Sequence, residues 1–207
     1  LHCYGFAKMI GCKKKSLITL NQRHTKDVIH FSSRKSIKDK MRGDSIVCEL
    51  NNTAIAILTA DCAPILFYDP RKKIIGCAHA AWKGALNGII KNTVKKFNQL
   101  NSKNNDLIAV VGPCIKSDNY KVRSDFLRKF LKKDKKNEIF FKKINNINYK
   151  FNLRGFINKE LSNLNIKNIE NIEMDTFSQK KNFFSYRRSC LNNERDYGRC
   201  IAVILRT

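Results

Sequence analysis

The most usable chemistry in this chain lies in two imidazoles and one thiol, those of His24, Cys62 and His79. Two nitrogen donors and a thiolate are a zinc-type ligand combination that leaves a fourth position for water, and a metal held this way lowers the pKa of that water toward neutrality. The same residues admit a second chemistry, a Cys-His pair in which His79 helps to form the Cys62 thiolate. Spacing alone does not choose between the two. Asp61 precedes Cys62 directly, so on an extended chain it points to the other side and is expected to orient a neighbouring group rather than to act as a ligand. Arg187 and Arg188 form a pair at the end of an apolar run. Paired arginines fork onto phosphate or carboxylate, and the alternative here is ion pairing with Asp175, Glu194 or Asp196.

Bringing these residues together is the task of the elements around them. Ala54 to Leu58, Ile65 to Tyr68 and Ile74 to Ala78 read as buried strands: they are short, apolar, rich in branched side chains and separated by polar joints. Cys62 follows the first run, and Pro64 keeps a helix from absorbing it. His79 closes the third. A strand-end cysteine and a strand-end histidine can meet at one edge of a sheet. His24 sits at a polar break between two strand-like pieces, where a lone histidine is ordinarily surface or scaffold. After Trp82-Lys83-Gly84, the spacing of Leu86, Ile89, Ile90, Val94 and Phe97 predicts a helix.

The remaining pattern predicts strands from Ser45 to Leu50, Leu107 to Val111, Ile169 to Met174, Phe183 to Tyr186 and Cys200 to Leu205. Helices are predicted around Val122 to Leu131 and from Leu153 to Leu164. Ser32 to Arg42 reads as an exposed loop, and Lys132 to Lys136 as the solvated end of a helix.

Nothing resembling a linker divides the 207 residues, so a single domain over 1–207 is expected. The net charge of +24 would suit a polyanion, but the lysines are scattered among Asn and Ile, which reads as composition bias rather than a nucleic-acid surface. Eight cysteines without a CxxC pair read as buried free thiols, with Cys114 among them. No apolar run approaches 18 residues and no signal-peptide pattern occurs. The expectation is a cytoplasmic protein without a membrane partner.

Five stretches carry a resemblance. They are Thr59-Ala60-Asp61-Cys62-Ala63-Pro64, Ala78-His79-Ala80-Ala81-Trp82-Lys83-Gly84, Val111-Gly112-Pro113-Cys114-Ile115, Phe183-Phe184-Ser185-Tyr186-Arg187-Arg188 and, after them, Gly198-Arg199. In this order they closely resemble the YfiH/laccase-domain family, once called multicopper polyphenol oxidase and now described as a purine nucleoside phosphorylase group. The resemblance runs from Gln22 to the C-terminus. It implies a single domain of α/β (α+β) type with mixed β-sheets flanked by helices, holding one metal, zinc ahead of copper. The family's Gln-x-His histidine falls on His24, its Ala-Asp-Cys cysteine on Cys62 and its His-Ala-Gly-Trp histidine on His79, so these three are the implied metal ligands and catalytic residues.

The implied activities are phosphorolysis of adenosine, inosine and methylthioadenosine, and deamination of adenosine. Purine nucleosides and phosphate are the implied partners, Arg187 and Arg188 are the proposed phosphate holders, and a monomer is expected. The chain departs from the family pattern at Ala81 and Lys83, where the family has glycine and arginine, and at Lys121, where it usually has glutamate. The chain opens with Leu1 and starts too late to include the family's usual N-terminal segment with its Gly-Gly-Val-Ser-like turn. Two other readings stand beside this one: an amidase of peptidoglycan precursors using the same His-Cys-His set, and a basic nucleic-acid-binding protein with a structural metal. Copper-based phenol oxidation is set aside, because a multicopper site needs more histidines than the four present.

Overall fold

Side-chain alternation within the central apolar runs tells which layer each residue serves. The computed structural model describes residues 16–38 and 41–207. The chain first forms β1 (Leu17–Ile18), β2 (Val28–Phe31), β3 (Ser45–Cys48), β4 (Thr53–Thr59), β5 (Ala63–Asp69) and β6 (Ile74–Ala80). Two helices follow, α1 (Trp82–Asn87) and α2 (Ile89–Gln99), and then β7 (Ile108–Val111) and β8 (Lys121–Arg123). Next come α3 (Ser124–Lys133), β9 (Phe141–Lys143), β10 (Asn148–Phe151) and α4 (Leu153–Asn163). The chain closes with β11 (Asn168–Asn171), α5 (Tyr186–Leu191) and β12 (Cys200–Arg206).

Six strands make the main sheet in the order β11-β7-β5-β6-β3-β2, antiparallel at its centre and parallel at both edges. A second sheet sets β4 between β1 and β12, and a third is the antiparallel set β8-β10-β9. On β5, Ala63, Ile65 and Phe67 join a core shared with Val94 and Phe97 of α2 and Ile157 and Leu161 of α4. Leu66 and Tyr68, on the other face, pack into a core with Ile55 and Ile57 of β4. The main sheet is therefore a middle layer covered on both sides, which is why its strands read as continuous apolar runs. On β6, Ile74, Ala78 and Ala80 face the helices, while Ile75 and Cys77 face the second sheet. His79 continues this second series at the end of the strand.

The structure corrects three expectations. The stripe from Leu86 to Phe97 is divided between two helices at Gly88, whose φ of 96° is open to glycine without steric cost. Phe183 to Tyr186 is no strand. Ser185 caps α5 instead, its Oγ accepting a hydrogen bond from the Arg188 backbone N–H at 3.2 Å. The β8-β10-β9 sheet takes Val122 out of the expected helix; its strands, Lys-Val-Arg, Phe-Lys-Lys and Asn-Tyr-Lys-Phe, are too short and basic to show a strand pattern. It is held by long-range packing of Phe126, Phe130, Phe141, Phe151 and Phe156, whose rings lie 4.7 to 6.3 Å apart where they pair.

All six described cysteines are free; Cys48, Cys77 and Cys114 are buried, Cys62 and Cys200 are partly exposed and Cys190 is exposed. Cys3, Cys12 and His2 lie outside the described residues. Among those residues, no helix is long and apolar enough to cross a membrane.

Candidate functional site

A side-chain amide stitches the first arm of the site to the second sheet. Gln22 donates from Nε2 to the Leu58 carbonyl at 2.8 Å and accepts the Leu58 N–H on Oε1 at 2.9 Å, copying a strand neighbour beside the end of β4. This docks the turn carrying His24, whose backbone is left-handed with φ of 58°. Cys62 lies in the bend between β4 and β5. The antiparallel register pairs Pro64 with His79 and Ala63 with Ala80, so Cys62 falls just past the end of β6 and beside His79.

The ligand atoms of His24, Cys62 and His79 lie within 4.8 Å of one another, and the two imidazole centroids are 4.9 Å apart. Among the described residues this is the one group of three or more potential metal donors. His30 stands elsewhere, bonded to Glu49 at 2.7 Å.

Behind the histidines is Asp44, which is fully buried and which no motif or periodicity in the sequence singles out. Its Oδ1 accepts from His79 Nδ1 at 2.8 Å and from the His24 backbone N–H at 2.9 Å. Its Oδ2 accepts the Thr25 N–H at 2.7 Å, the Thr25 hydroxyl at 2.8 Å and the Arg23 N–H at 3.0 Å. Burial would raise the Asp44 pKa, but hydrogen bonds from His79, Thr25 and Arg23 outweigh it and hold the carboxyl well below the usual carboxylate range. An ionised carboxylate only accepts, so the neutral His79 ring has its proton on Nδ1 and its lone pair on Nε2.

The other donors respond to their surroundings. His24 is held below the usual imidazole value by desolvation and by His79 and Lys83, against the pull of Asp44. Burial, followed by Asp61, Cys114 and Asp44, pushes the Cys62 thiol up to about 12. A thiol in that state needs a cation beside it to become a thiolate at neutral pH, which favours the metal chemistry over the unaided Cys-His pair. The donor set fits a borderline-soft ion: two imidazoles and one sulfur, with one imidazole oriented by a carboxylate.

Asp61 has φ of 79°, so it is not extended as expected from the sequence. Its carboxylate does orient a neighbour. It accepts from the Thr176 hydroxyl at 2.7 Å, the Ser185 hydroxyl at 2.9 Å and the Arg187 backbone N–H at 2.7 Å, tying the C-terminal segment to the bend that carries Cys62. The two arginines part company here. Arg187 lines the cleft, donates to the Lys121 carbonyl at 2.7 Å and lies 5.4 Å over the Tyr120 ring. Arg188 is not among the cleft-lining residues; its guanidinium is taken up by the carbonyls of Thr176, Phe177 and Phe183 at 2.6 to 2.9 Å. Neither arginine pairs with Asp175, Glu194 or Asp196.

The cleft over the three donors has a volume of about 1200 Å³ and is walled by Trp82, Tyr120, Phe126 and Tyr186. All three sequence departures sit on it, Ala81 included. Lys83 and Lys121 both line the cleft, and the added methyl of Ala81 is tolerated because that residue has φ of −67°.

Fold and site together define a layered α/β protein with one candidate single-metal centre, among the described residues, in the wall of a cleft. Residues 4–207 match the family model described as multi-copper polyphenol oxidoreductase laccase, and the chain belongs to that family. It is 36% identical over 178 residues to a purine nucleoside phosphorylase of Rickettsia conorii, covering 86% of this chain and 72% of that protein. It is 32% identical over 189 residues to a purine nucleoside phosphorylase of Haemophilus influenzae, covering 90% and 73%. In fold it is similar to the crystal structure of the hypothetical protein YfiH of Bacillus licheniformis, with a TM-score of 0.88 at 24% identity over 99% of this chain and 79% of that one. The crystal structure of YlmD from Geobacillus stearothermophilus gives 0.87 at 21% identity, over 99% and 78%.

Proposed function

We propose that this chain is a zinc-dependent purine nucleoside enzyme that phosphorolyses adenosine, inosine and methylthioadenosine and deaminates adenosine. The observation that carries the reading is the convergence of His24, Cys62 and His79 within 4.8 Å beneath an aromatic-walled cleft. It is supported by relatives named purine nucleoside phosphorylase at 32 to 36% identity.

Zinc, when bound by these three residues, supplies a Lewis acid and lowers the pKa of a water toward neutrality. The chain's own residues do the remaining work. Asp44 keeps the Nε2 lone pair of His79 turned toward the site. Trp82, Tyr120 and Tyr186 offer flat apolar faces for a purine. Arg187 is the phosphate holder of this mechanism, with its backbone pinned by Asp61 and its guanidinium at the cleft. Holding phosphate and nucleoside in one cleft makes the displacement at the anomeric carbon effectively unimolecular.

The test is an assay of metal-analysed protein with adenosine, with and without phosphate, following adenine, ribose 1-phosphate and inosine by chromatography. Phosphate-dependent adenine is expected, together with inosine, and both are lost in His24→Ala, Cys62→Ala and His79→Ala along with bound zinc. Zinc-loaded protein that forms none of these products overturns the activity. Zinc retained by all three variants overturns the site.

A further inference from the structure

The two histidines come from segments far apart in the chain, yet one oxygen serves both. Asp44 Oδ1 takes the ring N–H of His79 and the backbone N–H of His24, and Oδ2 closes the rest of the 23–25 turn through Thr25 and Arg23. The backbone adds a further tie, since the His79 N–H donates to the Asp44 carbonyl at 2.7 Å. We infer that Asp44 is the positioning residue of the metal centre, holding His79 in the tautomer that can bind a cation and His24 at its place beside it before any ion arrives. This rests on the assignment of His24, Cys62 and His79 as metal donors.

The hydrogen-bond inventory explains why nothing but a carboxylate will serve. Every partner of Asp44 on both oxygens is a donor: one ring N–H, three backbone N–H groups and one hydroxyl. An asparagine has the same shape but one accepting end. With its oxygen toward His79 and the His24 N–H, its amide hydrogens face the Thr25 and Arg23 N–H groups, and the turn carrying His24 is pushed away on that side. With its oxygen toward Thr25, its amide hydrogens face His79 Nδ1, which then becomes an acceptor and moves the ring proton to Nε2, the atom the cation needs. Either way one histidine arm is displaced or carries its proton on the wrong nitrogen.

The experiment is a chelator competition measuring zinc affinity of the wild type, Asp44→Asn and Thr25→Val, with melting temperatures recorded on the metal-free proteins. Thr25→Val deletes the hydroxyl donated to Oδ2 and leaves both Oδ1 bonds in place. A 10- to 100-fold loss of zinc affinity is expected for folded Asp44→Asn, the size seen when a ligand-orienting partner is removed. Less than about threefold is expected for Thr25→Val on the same grounds. Wild-type zinc affinity in folded Asp44→Asn overturns the inference, and so does an equal loss in Thr25→Val, which would make the effect one of general loosening.

Should Asp44→Asn not fold, ring nitrogen-15 shifts of His79 in the metal-free wild type decide. Protonation on Nδ1 supports the role and protonation on Nε2 overturns it. None of these readings depends on turnover, so the inference can fail while the proposed activity stands. Zinc binding that survives His79→Ala would remove the site itself.

Discussion

Arg188 gives its guanidinium to the carbonyls of Thr176, Phe177 and Phe183, whereas Arg187 spends one nitrogen on the carbonyl of Lys121 and keeps the cleft. The same side chain therefore stands in two different settings at adjacent positions, one satisfied by backbone carbonyls and one facing the cleft. Replacing Arg188 with alanine strands three partly buried carbonyls and should cost about 2 kcal/mol of stability, with little change in KM for phosphate. Replacing Arg187 with alanine should raise KM for phosphate about tenfold or more, about 1.4 kcal/mol, and shift Tm far less. Thermal melts and phosphate-dependent kinetics on the two variants check the pair. The opposite assignment of effects would return Arg188 to the cleft.

At the scale of elements, the site depends on α1 lying hard against the His24 turn. Gly84 sits one turn into that helix, and a methyl placed on it would meet the Thr25 carbonyl oxygen at 2.8 Å. Alanine is a better helix former than glycine by about 1 kcal/mol, so an isolated helix would gain from Gly84→Ala. Here the turn must move instead. Zinc affinity should drop about tenfold because the Asp44 bonds to residues 23–25 stretch with it. Gly88→Ala is the counterpart: φ of 96° makes it costly by about 1 kcal/mol, but Gly88 lies between two helices and away from the donors, so zinc affinity should hold. Melting curves and chelator competition on both variants separate close approach from backbone conformation as the reason each glycine is there.

Taken whole, the molecule extends the core between its main sheet and helices into α3 and the β8-β10-β9 sheet through the aromatic cluster. Phe151 is fully buried and touches the rings of Tyr120, Phe126, Phe130, Phe141 and Phe156. Phe151→Ala should cost about 3 to 5 kcal/mol of stability while the zinc affinity of the folded fraction stays within a few-fold, because no donor lies on α3 or that sheet. Denaturant unfolding and zinc titration of one sample test it. The charge of +24 also belongs to this scale. Arg23, Lys83, Lys121, Arg123, Arg187 and Arg199 line the cleft, about one lining residue in five, and Lys and Arg make up about the same share of the whole chain. The excess charge is thus spread over the surface and not focused on the cleft.

Local regularity carried a good part of this into the sequence. The strands β4, β5, β6 and β12 and the helix α4 are legible as apolar runs or a 3.6-residue stripe, because burial against a layer imposes its period on neighbouring residues. The candidate donors His24, Cys62 and His79, which the fold brings together, stand out too, as residue types at run ends and as motifs. What local pattern does not contain is which distant segments meet. Asp44 reaches His79 across 35 positions, Gln22 reaches Leu58 across 36, and Asp61 reaches Arg187 across 126. In one dimension Asp44 is one carboxylate among many, Arg188 is the twin of Arg187, and the segments of β8, β9 and β10 carry no strand pattern. Only the folded chain, by bringing particular donors within 3 Å of particular acceptors, made the first a shared partner of both candidate histidine arms, the second a scaffold and the third a sheet.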